Sequence, residues 1–267
     1  MKKIAFIIIC KNQLNKVKIW EEFFKNNYDK CNIYIHCTDL NITQEFVKKH
    51  HIGKKIPSEW GDLYGPLKYM LKLAYDNDDY KFILISDSTV PVKKFSYIYN
   101  QLISNDKTYL YYQPHKITEN NEKFTLRQSY QRYIFNMMNK KNFVNNVSIN
   151  HWYYGECWMI YNRMDASLII NDNKYYDIFK NCFAYDENYP AYLLSINNRL
   201  CNIINQMTTF VNWSEPEIEE NGKRHPKKYN KMKKSDIEIL KKSDYFFARK
   251  FSVNSDIDNY INEIWNN

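Results

Sequence analysis

Lys3-Ile4-Ala5-Phe6-Ile7-Ile8-Ile9-Cys10 runs without a polar break after its lysine. A strand with one wet face alternates polar and apolar residues, whereas a strand covered on both faces does not. The run therefore reads as an inner strand of a mostly parallel sheet. It is about a third of the ~20 residues a bilayer demands. Tyr80 to Ser86 reads the same way and ends at Asp87-Ser88-Thr89-Val90-Pro91. Between the two lie a helix over Leu14 to Asn26, on the spacing of Val17, Trp20, Phe23 and Phe24, and a strand over Asn32 to His36. Helices over Thr43 to Lys49 and Leu63 to Tyr75 follow. Strand–helix alternation implies a parallel sheet between helical layers.

Lys107 to Asn150 carries mixed signals, with a helix expected near Leu126 to Met138. The pattern then resumes with a strand over Glu156 to Tyr161, helices over Asp165 to Lys180 and Glu187 to Asn197, and a strand near Met207 to Asn212. A terminal helix is expected from Asp256. With no repeat and no linker, residues 1–267 read as one α/β domain. Ligands of such sheets sit beyond the carboxyl ends of strands, which makes Asn12, His36, Asp39 and Asp87 candidates by position. Asp87 could equally form or cap the turn.

A hydrophobic share of 44% with 17% aromatics is enough for a packed core, which excludes a disordered chain. The formal charge of +8 is local. Eleven basic and three acidic residues fall between Lys223 and Lys250, and the remaining 27 basic residues match 27 acidic ones. So local an excess points to an anionic partner. Lys231 to Lys242, interrupted by Asp236-Ile237-Glu238-Ile239-Leu240, reads as the solvated face of an amphipathic helix. Arg249-Lys250 differs, because Tyr245-Phe246-Phe247 and Phe251 frame it with aromatics. Cations so framed are partly desolvated, which raises their value towards a phosphate.

Cys10, Cys31, Cys37, Cys157, Cys182 and Cys201 include no CxxC pair, which argues against a structural zinc site. Cys10 and Cys31 sit in apolar runs and read as reduced, buried thiols; a disulfide framework stays open. No signal peptide or spanning segment is evident, so the expectation is a soluble chain or a fragment of an anchored one, in a compartment left open. Asp186-Glu187 precedes an apolar helix and could simply complement its dipole. Yet aromatics crowd the pair, and burial raises a carboxylate's proton affinity into a range useful for a general base.

Six segments in register resemble the core-2/I-branching N-acetylglucosaminyltransferases and the related peptide O-xylosyltransferases of glycosyltransferase family 14. They are Ile4-Ala5-Phe6-Ile7-Ile8 with Tyr34-Ile35-His36; Trp60-Gly61; Phe82 to Val92; Gly155-Glu156-Cys157-Trp158 to Arg163; Ala184-Tyr185-Asp186-Glu187; and Phe246 to Phe251. The last is nearest to the xylosyltransferase form. The resemblance implies a GT-A-like fold and an inverting transfer from a UDP-sugar to a glycan or glycoprotein hydroxyl. It makes Glu187 the catalytic base and Lys250, with Arg249, the diphosphate ligand, without a divalent cation or other cofactor. A second diphosphate cation would come from Arg224, Lys227 or Lys228. His36, Asp39 and Asp87 would seat the nucleotide, while Trp158, Trp213 and Asp186 would meet sugar, with core packing an equal reading for both tryptophans. Asp87 is followed by Ser88-Thr89, so no Asp-x-Asp metal motif stands there. N-acetylglucosamine leads as the sugar, with xylose and glucuronate as rivals. A non-catalytic glycan binder is the other rival, and nucleic acid is not expected as a partner.

Overall fold

The computed structural model describes residues 1–114, 118–119, 122–123, 145–180, 182, 184–218 and 224–266. The helix expected near Leu126 to Met138 lies outside them, as does the side chain of Arg224. A six-stranded sheet runs in the order Ile203–Ile204, Thr108–Tyr109, Ile160–Asn162, β3 (Lys81–Ser86), β1 (Ile4–Cys10) and β2 (Cys31–Cys37). β1 lies parallel to both β2 and β3, and Ile203–Ile204 lies parallel to Thr108–Tyr109. Only Ile160–Asn162 opposes its neighbours. This is the mostly parallel α/β sheet between helices expected of a GT-A-like fold.

The lack of alternation in β1 has a direct cause. Ala5, Ile7 and Ile9 face a core with Tyr64, Leu67 and Leu71 of α3 (Tyr64–Asp76) and with the helix Tyr189–Ile196. Ile4, Phe6, Ile8 and Cys10 face a second core, built by α1 (Val17–Phe24), α2 (Glu45–His50) and α4 (Phe95–Ile103). All seven residues of β1 are buried, each contributing up to ~1.5–3 kcal/mol when it is a large aliphatic or aromatic. Phe6 packs edge-on to Trp20, Phe24 and Phe247. Trp20 donates its indole N–H to the Thr89 carbonyl at 3.1 Å, so the same cluster holds the turn after β3.

A second, three-stranded sheet places Phe247–Arg249 between β4 (Val90–Pro91), antiparallel, and Thr209–Val211, parallel. That insertion carries Arg249-Lys250 to the carboxyl end of β3. The helix Lys234–Lys242 buries Ile237 and Leu240 against Ile257, Ile261 and Ile264, which is the amphipathic arrangement its sequence suggests. Lys241 pairs with Glu238 and Glu263, and Lys242 with Glu238, so part of the basic excess is neutralised locally.

The structure departs from the sequence reading in four places. Phe95–Ile103 is helical, on the spacing of the buried Phe95, Ile98, Tyr99 and Leu102. The strand expected over Glu156 to Tyr161 is confined to Ile160–Asn162, with a separate short strand at Tyr153–Gly155. Asp172 divides the helical stretch after Asp165, because its carboxylate caps Tyr175 and Tyr176. The helix expected from Glu187 begins at Tyr189, and residues 185–187 form a single 3-10 turn ahead of it. The six cysteines are free thiols, with Cys10 and Cys37 sulfurs 3.1 Å apart across β1 and β2.

Candidate active site

A cleft of about 540 Å³ opens at the carboxyl ends of β1 and β3. Its volume lies in the ~300–1,000 Å³ range of ligand sites. Asp87, Trp158, Asp186, Glu187, Trp213, Arg249 and Lys250 all line it. Residues far apart in sequence therefore converge on one wall, and the elements that bring them there are those just described.

Arg249 is the electrostatic centre. Its guanidinium lies over the Trp158 ring, 4.8 Å from the centroid. Its Nε is buried without a hydrogen-bond partner among the described residues. Burial lowers its proton affinity, opposed by Cys157, Asp87, Glu156 and Glu187 around it. Burial likewise lowers that of Lys250, with Arg249 adding to the effect and Asp87 opposing it. Neither cation is held in an ion pair among the described residues, unlike Lys227, Lys233 and Lys241. Two neighbouring positive side chains outside any direct ion pair among the described residues could attract an anion.

Glu187 lines the same cleft from the 3-10 turn and interacts with Arg249. Burial first, then Asp186 and Glu156, push its carboxyl up to about 8, with Arg249 pulling the other way. Asp186 is pushed up to about 6, mainly by burial. Burial also raises Glu156, against Arg249 and the Tyr154 hydroxyl, which donates to it at 3.4 Å. Asp87 is raised by burial and held down by the Lys11 N–H, at 3.3 Å, and by Arg249. The cleft thus brings a carboxyl raised to about 8 together with two cations. Among the described residues, no three His, Cys, Asp or Glu side chains are grouped to hold a metal ion.

Trp213 is half exposed on the cleft, while Trp158 is buried beneath Arg249. Asp39 accepts from Asn12 at 3.2 Å and from the Asn41 N–H at 3.0 Å, and its own N–H bonds the carbonyl of Lys11, a cleft residue. His36 is placed differently from the expectation. It is fully buried, and its Nε2 accepts from the Ile56 N–H at 3.0 Å. The residues after α2 cover its face of β2, so the imidazole braces them and does not line the cleft.

Lys227 also needs correcting. Its ammonium bonds both oxygens of the buried Asp236 at 3.2 Å and meets Glu215 at 3.2 Å. This cation fastens the helix Lys234–Lys242 to the chain before it and is already neutralised. Lys227→Ala should lower thermal stability by several degrees, since it leaves the buried Asp236 carboxylate only the Lys233 N–H among the described residues, and losing a charged partner there costs ~1–3 kcal/mol. Nucleoside-diphosphate affinity, read by calorimetry, should stay within about twofold. Lys228 is exposed and lines a neighbouring cavity of about 260 Å³ that shares Lys250 with the cleft.

Other cleft residues were given no chemical role from the sequence: Lys11, Glu59, Trp60 and Gly61; nor was Glu156, which interacts with Arg249. Trp60-Gly61 carried a family likeness but no chemical signal of its own. Gly61 has φ +80°, and a Cβ there would stand 3.0 Å from the Ala184 Cα, so the close approach requires glycine.

The sequence model of the core-2/I-branching enzyme family matches residues 4–244. A glycosyltransferase named BC10, from Oryza sativa subsp. japonica, is 23% identical over 118 residues. That match covers 40% of this chain and 30% of the rice protein. No helix among the described residues is long and apolar enough to cross a membrane.

Proposed function

The chain belongs to the core-2/I-branching enzyme family and is a glycosyltransferase; from that premise we propose that it transfers a sugar from a UDP-sugar with inversion and without a divalent cation. The acceptor is a glycan or glycoprotein hydroxyl, and N-acetylglucosamine is the leading sugar. One observation carries this reading: Arg249 and Lys250, neither of them in a direct ion pair among the described residues, stand in the same cleft as a carboxyl raised to about 8.

The acceptor oxygen attacks the anomeric carbon as the bond from that carbon to the phosphate oxygen breaks. Glu187 takes the acceptor's proton, and the electron pair leaves with the nucleoside diphosphate. Arg249 and Lys250 meet the charge growing there, already oriented before the reaction begins. Asp87 and Asp39 stand near the carboxyl ends of β3 and β2, where a nucleotide is seated in such sheets. Trp213 offers its exposed face to a sugar ring. Nucleic acid is disfavoured because Phe246 and Phe247, the aromatics that frame the cations in sequence, are buried and offer no exposed face for base stacking.

The test is a screen of sugar nucleotides for slow hydrolysis and for transfer, with and without EDTA. Xylose and glucuronate donors belong in it beside N-acetylglucosamine, because Phe246 to Phe251 is close to the xylosyltransferase form. Turnover is expected to withstand EDTA. Inhibition that manganese reverses would reject the cation-only account.

A further inference from the structure

Glu187 stands on a single 3-10 turn, too short to be rigid by itself. The turn closes through two backbone bonds, from the Glu187 N–H to the Ala184 carbonyl at 3.1 Å and from the Asn188 N–H to the Tyr185 carbonyl at 3.0 Å. The Asn188 side chain adds a third bond to the Ala184 carbonyl at 3.3 Å. Ala184 itself holds a left-handed φ of 46°, which an alanine keeps only where its surroundings enforce it.

The enforcement comes from the segment Glu59 to Asp62. Its ends are bonded to each other, from the Asp62 N–H to the Glu59 carbonyl at 3.0 Å and in the reverse sense at 3.3 Å. Gly61 lies flat against the Ala184 backbone. Beside that contact, the Tyr185 hydroxyl donates to Asp62 Oδ1 at 2.6 Å. Tyr185 is fully buried, with its ring among Tyr64, Tyr176 and Tyr189. A hydroxyl in such surroundings needs its acceptor, and a charged acceptor at this length makes one of the stronger hydrogen bonds. The tip of the same segment carries Trp60 and Glu59 into the cleft that Glu187 lines.

We propose that Asp62 and Tyr185 are positioning residues for Glu187, their hydrogen bond fixing the 3-10 turn so that the carboxylate meets the acceptor hydroxyl in register. The inference rests on Glu187 being the base. Neither residue lines the cleft itself, Tyr185 being buried and Asp62 lining an adjoining cavity of about 410 Å³, so both act on Glu187 through the turn. A misplacement of about 1 Å at a reacting group costs on the order of a hundredfold in rate, so loosening the turn is visible in turnover.

Tyr185→Phe keeps the ring and deletes the donor, and Asp62→Ala deletes the acceptor. Both should lower kcat at least tenfold while UDP affinity, measured by calorimetry, stays within about twofold. Asp62→Asn keeps an oxygen that can accept from Tyr185 and should recover most of kcat. Wild-type kcat in Tyr185→Phe would overturn the proposal. So would a loss of UDP affinity in parallel with kcat, which would assign the bond to the fold as a whole. Glu187→Gln separates the two levels. If it is inactive while Tyr185→Phe is unimpaired, only the positioning role fails. If Glu187→Gln turns over normally, the base assignment itself fails.

Discussion

Glu187→Gln is expected to bind UDP as the wild-type chain does and to transfer no measurable sugar. An amide cannot take a proton, and a positioned general base is worth ~10²–10⁴-fold in rate. Binding is spared for an electrostatic reason. With its carboxyl raised to about 8, Glu187 is largely uncharged at neutral pH, so glutamine changes little that the diphosphate senses. The same raised affinity predicts a pH profile. The base works only when deprotonated, so kcat/KM should climb about tenfold per unit towards a limb near 8 and then level. In kcat the limb should lie higher still, because a bound diphosphate neutralises Arg249, which pulls Glu187 down in the free enzyme. Stability should move the opposite way. A carboxyl raised on folding contributes most below its ordinary range near 4.5 and loses that contribution as pH rises to about 8. Across that window the free wild-type chain should lose stability relative to Glu187→Gln. A variant that retains full turnover, or a profile without an acid limb, would remove Glu187 from the role.

The strands of the main sheet were legible because both of their faces are buried. Nothing but an inner strand accounts for Ile4 to Cys10 beside Lys81–Ser86, and a parallel sheet places its site at the strand ends. Arg249-Lys250 and Asp186-Glu187 were legible for a related reason: each pairs charge with flanking aromatics, and charge among aromatics is desolvated wherever it lies. The six segments in register with the family supplied what no single one of them could.

What escaped the reading depends on contacts between segments remote in sequence. Lys227 looked like a free cation because its partners, Asp236 and Glu215, are not on one helix face with it. His36 looked like a strand-end ligand because the residues covering it lie some twenty positions onward, at Ile56. Asp62 and Tyr185 are 123 positions apart, and although Tyr185 lies in the acidic-pair segment, nothing local points from it to Asp62. Gly61 carried only the family likeness of Trp60-Gly61. Its partner Ala184 could not be inferred, since alanine is not the residue that announces a left-handed backbone.

Lys250→Ala should weaken UDP binding more than tenfold, and Arg249→Ala should do so and slow transfer as well. Two unit charges about 4 Å apart interact by roughly 4 kcal/mol at an effective dielectric near 20. Lys250 is only partly buried, so screening takes some of that, but a tenfold change needs only ~1.4 kcal/mol. Arg249 does more than attract phosphate. It opposes the upward shift of Asp87, Glu156 and Glu187 together, and its removal leaves Asp87 with Lys250 while Glu156 and Glu187 lose the cation that holds them down. Glu187 then holds its proton more tightly, and the limb in kcat/KM should move to higher pH as well as the affinity falling. Arg249→Lys separates charge from shape. Lysine restores a positive charge but not the planar group over Trp158, so part of the affinity should return while the loss in kcat remains. Because both cations act through charge, rising salt should weaken UDP binding in the wild type more steeply than in either alanine variant. Calorimetric affinities unchanged in Lys250→Ala, or identical salt slopes in all three proteins, would mean that the diphosphate is held elsewhere.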